Sequence, residues 1–299
     1  MTILQASLIG LATIYMSTIM LLRLLQNRLI FEPKSLMLGT PATFNLPYKE
    51  VWLSVATSKN QTEKIFGWWI PQTVATAGVV LFLHGASGNM AAQEKSCNLE
   101  RVVRLHQLGF SVFMIDYRGY GNSKGRFPTE ARIYEDASRA WNYLTQEKGF
   151  SPEKVFIYGY SLGGAIAANL CLQQPKAAGL IAESSFTCIK DMAKYRYKYK
   201  IRIFPLKLLV TQKFDFINKV KSIKVPVLFI HGMKDKVVPV TMSQRLFAAA
   251  PEPKKLLLMP NAGHNNLAQV DSARYMAALQ EFLSEIIHQQ RTINQEVLG

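Results

Sequence analysis

No C-x-x-C pair occurs in this chain, and its three cysteines, Cys97, Cys171 and Cys188, are widely spaced and odd in number. That spacing leaves no zinc or dithiol redox motif visible. None of the three has the context that lowers a thiol pKa, so each reads as a reduced, mostly buried thiol rather than a nucleophile. Acidic residues are scarce as well: 20 Asp and Glu stand against 35 Lys and Arg, a net charge of +15. An excess of this size favours anionic partners, which means lipid headgroups or nucleic acid, and says nothing about fold. Internal repeats, low-complexity tracts and inter-domain linkers are missing too. With 49% hydrophobic residues, intrinsic disorder is excluded and a sizeable core is available. One catalytic-size domain behind an N-terminal segment is the simplest partition of the 299 residues.

Charge is also absent from Ile3 to Leu22. About 20 apolar residues in a helix cross a hydrocarbon core of roughly 30 Å. A cleaved signal peptide would have a basic start, a shorter apolar core and a small-x-small cleavage site. Here no Lys or Arg precedes Arg23 and no A-x-A follows, so a retained transmembrane anchor is expected in residues 1–25. A buried helix of the globular domain fits less well, because the segment has no polar face. Arg23, Arg28 and Lys34 follow the span, and the positive-inside rule then puts residues 26–299 in the cytoplasm. Unpaired cysteines agree. The glycosylation sequon Asn60-Gln61-Thr62 would point the other way, but only in a eukaryotic lumen.

Beyond Tyr48 the pattern becomes short apolar runs separated by helical stretches. The expected strands are Glu50–Ala56, Ile65–Ile70, Val79–Leu83, Ser111–Ile115, Val155–Tyr158, Gly179–Ala182, Val225–Ile230 and Lys255–Met259. Continuous Val/Ile/Leu/Phe runs among them fit strands buried on both faces of a parallel sheet. Helical patterns cover Ala92–Leu108, Thr129–Lys148, Ser161–Gln173, Val240–Ala250 and Ala268–Gln289. This alternation argues an α/β fold with a mainly parallel sheet. The first two strands have no helix between them and are expected to pair as an antiparallel hairpin at one edge. The stretch from Asp191 to Lys221 breaks the alternation as a long basic insertion.

Ser161 lies in Gly159-Tyr160-Ser161-Leu162-Gly163, between an expected strand and an expected helix. This is the setting of a nucleophile elbow, a turn so tight that the residues flanking the serine must be small. The following helix offers N-terminal N–H groups to a developing oxyanion. A serine hydroxyl needs a base, and here the chain order should be Ser, acid, His. Of five histidines, His106 sits inside a helical pattern, His84 and His231 precede glycines at strand ends, and His288 lies near a polar helix end. His264, on a small-residue loop after the last strand, is placed to reach the serine. The acid best placed is Asp235, on the loop after a buried strand. Glu183 and Asp116, also at strand ends, are the alternatives. An oxyanion hole would take the Leu162 N–H and, from the loop His84-Gly85-Ala86-Ser87-Gly88, the Ala86 N–H.

Taken together, Leu83-His84-Gly85 with Gly88-Asn89, Asp116-Tyr117-Arg118-Gly119-Tyr120-Gly121, Gly159-Tyr160-Ser161-Leu162-Gly163-Gly164, Glu183-Ser184-Ser185, His231-Gly232 with Asp235 and Pro239, and Gly263-His264-Asn265 resemble the α/β-hydrolase superfamily. Within it the likeness is to the Bem-like membrane-anchored serine hydrolases, related to depalmitoylases and serine-aminopeptidase-type hydrolases. It runs from about Leu25 to about Leu283. The resemblance implies a mostly parallel eight-stranded sheet with helices on both faces and a short cap at about residues 188–222. It implies Ser161, Asp235 and His264 as a triad. Ala86 stands where Asn is usual, a change a backbone donor tolerates. The resemblance implies the reaction type more firmly than the substrate.

In the cap, Tyr195-Arg196-Tyr197-Lys198-Tyr199-Lys200-Ile201-Arg202-Ile203 alternates apolar and basic residues, so an extended form would have one apolar and one cationic face. It reads as a solvated cap over the pocket or as a lid resting on an anionic membrane. Aromatic and basic interleaving can also stack bases, but nucleic acid is not expected for a tethered hydrolase. The resulting expectation is a membrane-anchored serine hydrolase of carboxylic esters or thioesters that needs no metal or organic cofactor. Rival readings are an aminopeptidase or amidase with the same residues, and a membrane scaffold that kept the fold without the chemistry.

Overall fold

Val79–Leu83 is buried at every position, as happens only in a strand covered on both faces. In the computed structural model, which describes residues 2–56, 61–72, 76–91 and 98–298, this run is a central strand of an eight-stranded sheet. Those strands are β1 (Lys49–Ala56), β2 (Thr62–Ile70), β3 (Val79–Leu83), β4 (Ser111–Asp116), β5 (Val155–Tyr160), β6 (Gly179–Glu183), β7 (Val227–Gly232) and β8 (Lys254–Met259). Their spatial order is β8-β7-β6-β5-β3-β4-β2-β1. From β4 to β8 all pairs are parallel. The edge pair β1–β2 is the expected antiparallel hairpin, and β2 also runs antiparallel to β4, so the sheet is mixed. The sequon residue Asn60, the thiol Cys97 and the start of the expected helix at Ala92 lie outside the described residues.

Side chains alternate across the sheet, as a strand's period of two requires. Val79, Leu81 and Leu83 join one apolar layer with α3 (Glu130–Asn142), α4 (Leu162–Gln173) and α8 (Val240–Ala249). Val80 and Phe82 join the other, with α2 (Asn98–Gln107), α9 (Leu267–Val270) and α10 (Ser272–Leu298). Helices thus cover both faces, and the loops at the C-terminal ends of the parallel strands gather along one edge.

Several boundaries differ from expectation: β2 starts at Thr62 rather than Ile65, and others shift for local reasons. Proline has no N–H to give the ladder, and β7 starts at Val227 behind Pro226. The final helix breaks at Asp271, whose carboxylate accepts the Arg274 N–H at 3.0 Å and starts α10 anew. The expected helix Thr129–Lys148 ends its regular part at Asn142 and continues as a wider turn, Tyr143–Glu147. The N-terminal helix α1 (Ile3–Ile30) runs well beyond Leu22, is 28 residues long, about 42 Å at 1.5 Å per residue, and has no buried residue. Its length and composition would cross a membrane.

The cap is helical rather than extended. It comprises α5 (Ile189–Tyr197), a tight turn over Lys198–Ile201, α6 (Leu206–Leu209) and α7 (Phe216–Lys219). Lys198 takes a positive φ of 42° that ends α5, and Pro205 precedes α6, so the alternating pattern never straightens into a strand.

Just after β4, the fully buried Arg118 ties three elements together. It pairs with Asp136 at 2.6 Å, Glu135 at 2.6 Å and Glu63 at 2.7 Å. Burial pushes the Asp136 carboxyl up to about 7 even though Arg118 pulls it down. Removing one partner of a buried pair strands the other's charge. Arg118→Ala is therefore expected to lose about 3–5 kcal/mol of stability in urea unfolding; a variant as stable as the parent would contradict this role.

Candidate active site

Between the last residue of β5 and the first of α4 there is one residue, Ser161, with φ 55° and ψ −115°. That conformation is uncommon for a residue with a side chain and has to be held by its surroundings. Its N–H donates to the Glu183 carbonyl at 2.8 Å, and its carbonyl accepts from the Ser185 hydroxyl at 2.9 Å. The turn is tight enough that a Cβ on Gly159 would overlap the Gly163 carbonyl, and one on Gly163 would overlap the Leu83 carbonyl. Those two glycines let β5, α4 and the end of β3 meet around the serine.

His264 Nε2 lies 3.2 Å from Ser161 Oγ, and His264 Nδ1 lies 2.7 Å from Asp235 Oδ2. A nitrogen facing a carboxylate carries the proton, which leaves the Nε2 lone pair toward the serine hydroxyl. The other Asp235 oxygen accepts the Val237 and Val238 N–H groups, both at 2.8 Å. His231 Nε2 sits 3.1 Å from Asp235 Oδ2 and 3.0 Å from the Val238 carbonyl, while its Nδ1 contacts the Ser243 hydroxyl at 2.6 Å. Burial works to raise the Asp235 carboxyl, but the hydrogen bonds from His231 and His264 outweigh it and hold the group well below the usual carboxylate range. His231 therefore does more than shape a strand end: it fixes the acid.

The loop after β3 runs directly beside the serine, since a Cβ on Gly85 would lie 3.3 Å from Ser161 Cβ. Ala86 is held by its carbonyl, which accepts the Glu32 N–H at 3.0 Å and the Tyr120 hydroxyl at 2.7 Å. Glu32–Pro33, two residues past the end of α1, pair in parallel with Ser87–Gly88, and the Lys34 N–H reaches the Gly88 carbonyl at 2.9 Å. The segment behind the N-terminal helix is thus laced into this loop. Neither the Ala86 nor the Leu162 N–H has a protein acceptor among the described residues.

Two alternatives for the acid lie elsewhere. Glu183 is buried with Arg101, Tyr158 and Tyr275 as partners, and Arg101 with Tyr158 and Tyr275 holds its carboxyl down against the burial that raises it. Arg101 also stacks over the Tyr160 ring at 4.0 Å, and the Tyr160 hydroxyl donates to Asn265, next to His264. This buried cluster supports the histidine loop and was missed in the sequence, where Arg101 looks like any charge on an amphipathic helix. Asp116 lies under the loop of His84. The His84 Nδ1 proton goes to the Gly85 carbonyl at 2.8 Å, so Nε2 is an acceptor, 3.5 Å from Asp116. Burial drives the imidazole down to about 4 and the Asp116 carboxyl up to about 7. His106 packs against the Pro71 carbonyl at 3.1 Å, and His288 sits on the solvent side of α10. Among the described residues no group of three or more His, Cys, Asp or Glu is arranged to hold a metal ion.

A half-buried elbow serine, a histidine in contact with it and a buried acid, gathered at the C-terminal edge of this sheet, define an α/β hydrolase. Over residues 75–214 and 208–271 the sequence matches the family described as serine aminopeptidase, S33, and the chain belongs to that family. Protein bem46 of Schizosaccharomyces pombe is 33% identical over 251 residues, 82% of this chain and 80% of its own length. Lysophosphatidylserine lipase ABHD12 of Macaca fascicularis is 32% identical over 213 residues, 67% of this chain and 51% of its own length. The solved esterase Pf2001 of Pyrococcus furiosus has a TM-score of 0.69, covering 86% of this chain and 99% of its own at 23% identity, a likeness of fold.

Asp116 generates a pH prediction. Its folded pKa of about 7 exceeds the ordinary carboxylate value of 3.8, so its stabilising contribution is complete below about 4 and is lost as pH rises through 7. The melting temperature of the wild type should fall relative to Asp116→Asn between pH 4.5 and 8. A constant difference across that range would contradict a neutral carboxyl facing His84.

Proposed function

We propose that this protein is a membrane-anchored serine hydrolase that cleaves carboxylic esters or thioesters through an acyl-enzyme. The observation that carries the reading is the 3.2 Å approach of His264 Nε2 to Ser161 Oγ, backed by Asp235 at 2.7 Å from Nδ1. His264 takes the serine proton as Oγ attacks the acyl carbonyl. Asp235 keeps the imidazole oriented and stabilises the imidazolium that forms. The Ala86 and Leu162 N–H groups receive the oxyanion, helped by the N-terminus of α4. His264 then returns the proton to the leaving alcohol or thiol, and water, activated by the same nitrogen, releases the acid.

In this reading residues 1–25 anchor the chain and residues 26–299 form the hydrolase domain on the cytoplasmic face, with the cap at about 188–222. The lipase and esterase names of the relatives favour an ester with an apolar acyl part. The family description raises aminopeptidase activity as the second possibility. A free amine needs an acidic receiver, and the cap is cationic; its Asp191 is already paired with Arg245 at 3.0 Å and Thr187 at 2.8 Å.

Labelling by a fluorophosphonate tests the reading. Wild type should label and Ser161→Ala should not, while Asp235→Asn should lower kcat on p-nitrophenyl butyrate roughly 10⁴-fold with the fold intact. A folded wild type that resists the probe would favour the scaffold reading. A second expectation concerns the Ala86 loop. Deleting residues 2–36, which removes the Glu32–Lys34 ladder, should leave a kcat roughly 10²-fold below that of a chain lacking only residues 2–24. Equal rates would show that the ladder does not position the oxyanion donor.

A further inference from the structure

The cap does not stand clear of the N-terminal helix; it is fastened along it. The Tyr15 hydroxyl donates to the Ile203 carbonyl at 2.7 Å, and the Tyr15 ring stacks on Phe204 at 6.0 Å, nearly parallel at 5°. Further along α1, Gln26 donates to the Thr211 hydroxyl at 2.6 Å and accepts the Thr211 and Gln212 N–H groups at 2.9 and 3.2 Å. These two ties lie eleven residues apart on α1, about 16 Å along its axis. Tyr15 lies inside the uncharged run Ile3–Leu22. Any placement that immerses this run in hydrocarbon therefore carries Ile203 and Phe204 into the lipid with it.

The cap segment is built for that position. In hydrocarbon, irregular backbone is tolerated only where its polar groups have partners. Tyr15 supplies the donor for the Ile203 carbonyl, and turns satisfy the N–H groups of Arg202, Phe204, Leu208, Leu209 and Val210. Its exposed side chains are large apolar groups, Tyr199 at 74%, Ile203 at 68% and Leu208 at 66%, interleaved with the exposed cations Lys200, Arg202 and Lys207. The apolar groups extend the bare apolar surface of α1, where Leu21, Leu24 and Leu29 are exposed as well. Five cations, Lys190, Lys194, Lys198, Arg202 and Lys207, line a cleft of about 690 Å³ that also contains Ile201, Phe204 and Leu206. An apolar lining rimmed by cations suits an anionic head group with its acyl chain, and long basic side chains reach an interface while their stems stay in lipid. The nearby acids are engaged elsewhere, Asp191 with Arg245 and Asp215 at the start of α7.

We propose that the segment Tyr199–Leu208 inserts beside α1 into an anionic lipid leaflet, with these cations gathering lipid head groups around the cleft. The active site then receives its acyl substrate from the leaflet itself. The contact of the Tyr195 hydroxyl with the Lys236 carbonyl at 3.5 Å joins the cap to the loop of Asp235. The insertion stands on the cap geometry, whereas the delivery of substrate rests on the hydrolase reading above.

The test uses the full chain, with Cys97→Ala and Cys188→Ala, carrying a bimane label at Ile203→Cys. It is reconstituted into vesicles of phosphatidylcholine alone or with phosphatidylserine, each containing lipids brominated along the acyl chain. The expected result is a blue shift and strong quenching in the anionic vesicles, weaker in neutral ones, and reduced by Lys198→Glu with Lys207→Glu. A label that stays unquenched and open to aqueous iodide, while one at Ile9→Cys is quenched, would overturn insertion. Equal quenching in both vesicles would overturn the anionic head-group role. Hydrolysis of p-nitrophenyl butyrate by the same labelled protein separates the two readings. Activity without quenching sinks the docking alone, and quenching without activity sinks the hydrolase alone.

Discussion

Ser161 holds a backbone conformation that a side chain ordinarily avoids, at a cost of about 1–3 kcal/mol, and the centre of the molecule is arranged to hold it there. The strand before it and the helix after it are pinned by the Glu183 carbonyl and the Ser185 hydroxyl, both from the end of the neighbouring strand β6. Glycines at 159 and 163 allow the close approach. Loosening any of these would let the serine relax out of reach of His264. The strain is thus tied to sheet order: β5 lies between β3 and β6, so the loops of both converge on the elbow.

The neighbouring strands then deliver one component each. The end of β3 brings the Ala86 loop, the loop after β7 brings Asp235 and the loop after β8 brings His264. Each is secured by polar contacts away from the serine: His231 on Asp235, the Arg101–Glu183 cluster behind Asn265, and the Glu32–Lys34 ladder on Ala86. The last of these links the N-terminal helix to the site through two residues of backbone, and Gln26 and Tyr15 link the same helix to the cap. The long apolar helix is thus tied to both the site loop and the cap.

The residues brought together at the candidate site could be read in the sequence because each has a local signature. Ser161 is flanked by glycines between a strand run and a helix run, and Asp235 and His264 follow apolar strands on short polar loops. The sheet was legible for the same reason, since double-sided burial leaves continuous apolar runs such as Val79–Leu83. What stayed hidden depends on distant partners or on elements too short to show a period. Arg101 meets Glu183 across 82 residues of sequence. Glu32–Pro33 is a two-residue strand that contains a proline. In the cap, α6 and α7 have only four residues each, and the alternating run Tyr195–Ile203 looks extended in sequence although it begins in α5 and turns at Lys198. Asp271 reads as one polar residue in a long helix until its carboxylate is seen restarting the chain.

The central claim is that the acyl group passes through Ser161. Rapid mixing with an activated ester, quenching in acid within the first turnover and mapping the adduct by peptide mass spectrometry tests it directly. The account predicts a burst of leaving group and an acyl mass on the peptide that contains Ser161. Turnover with no burst, or an adduct on another residue, would contradict it.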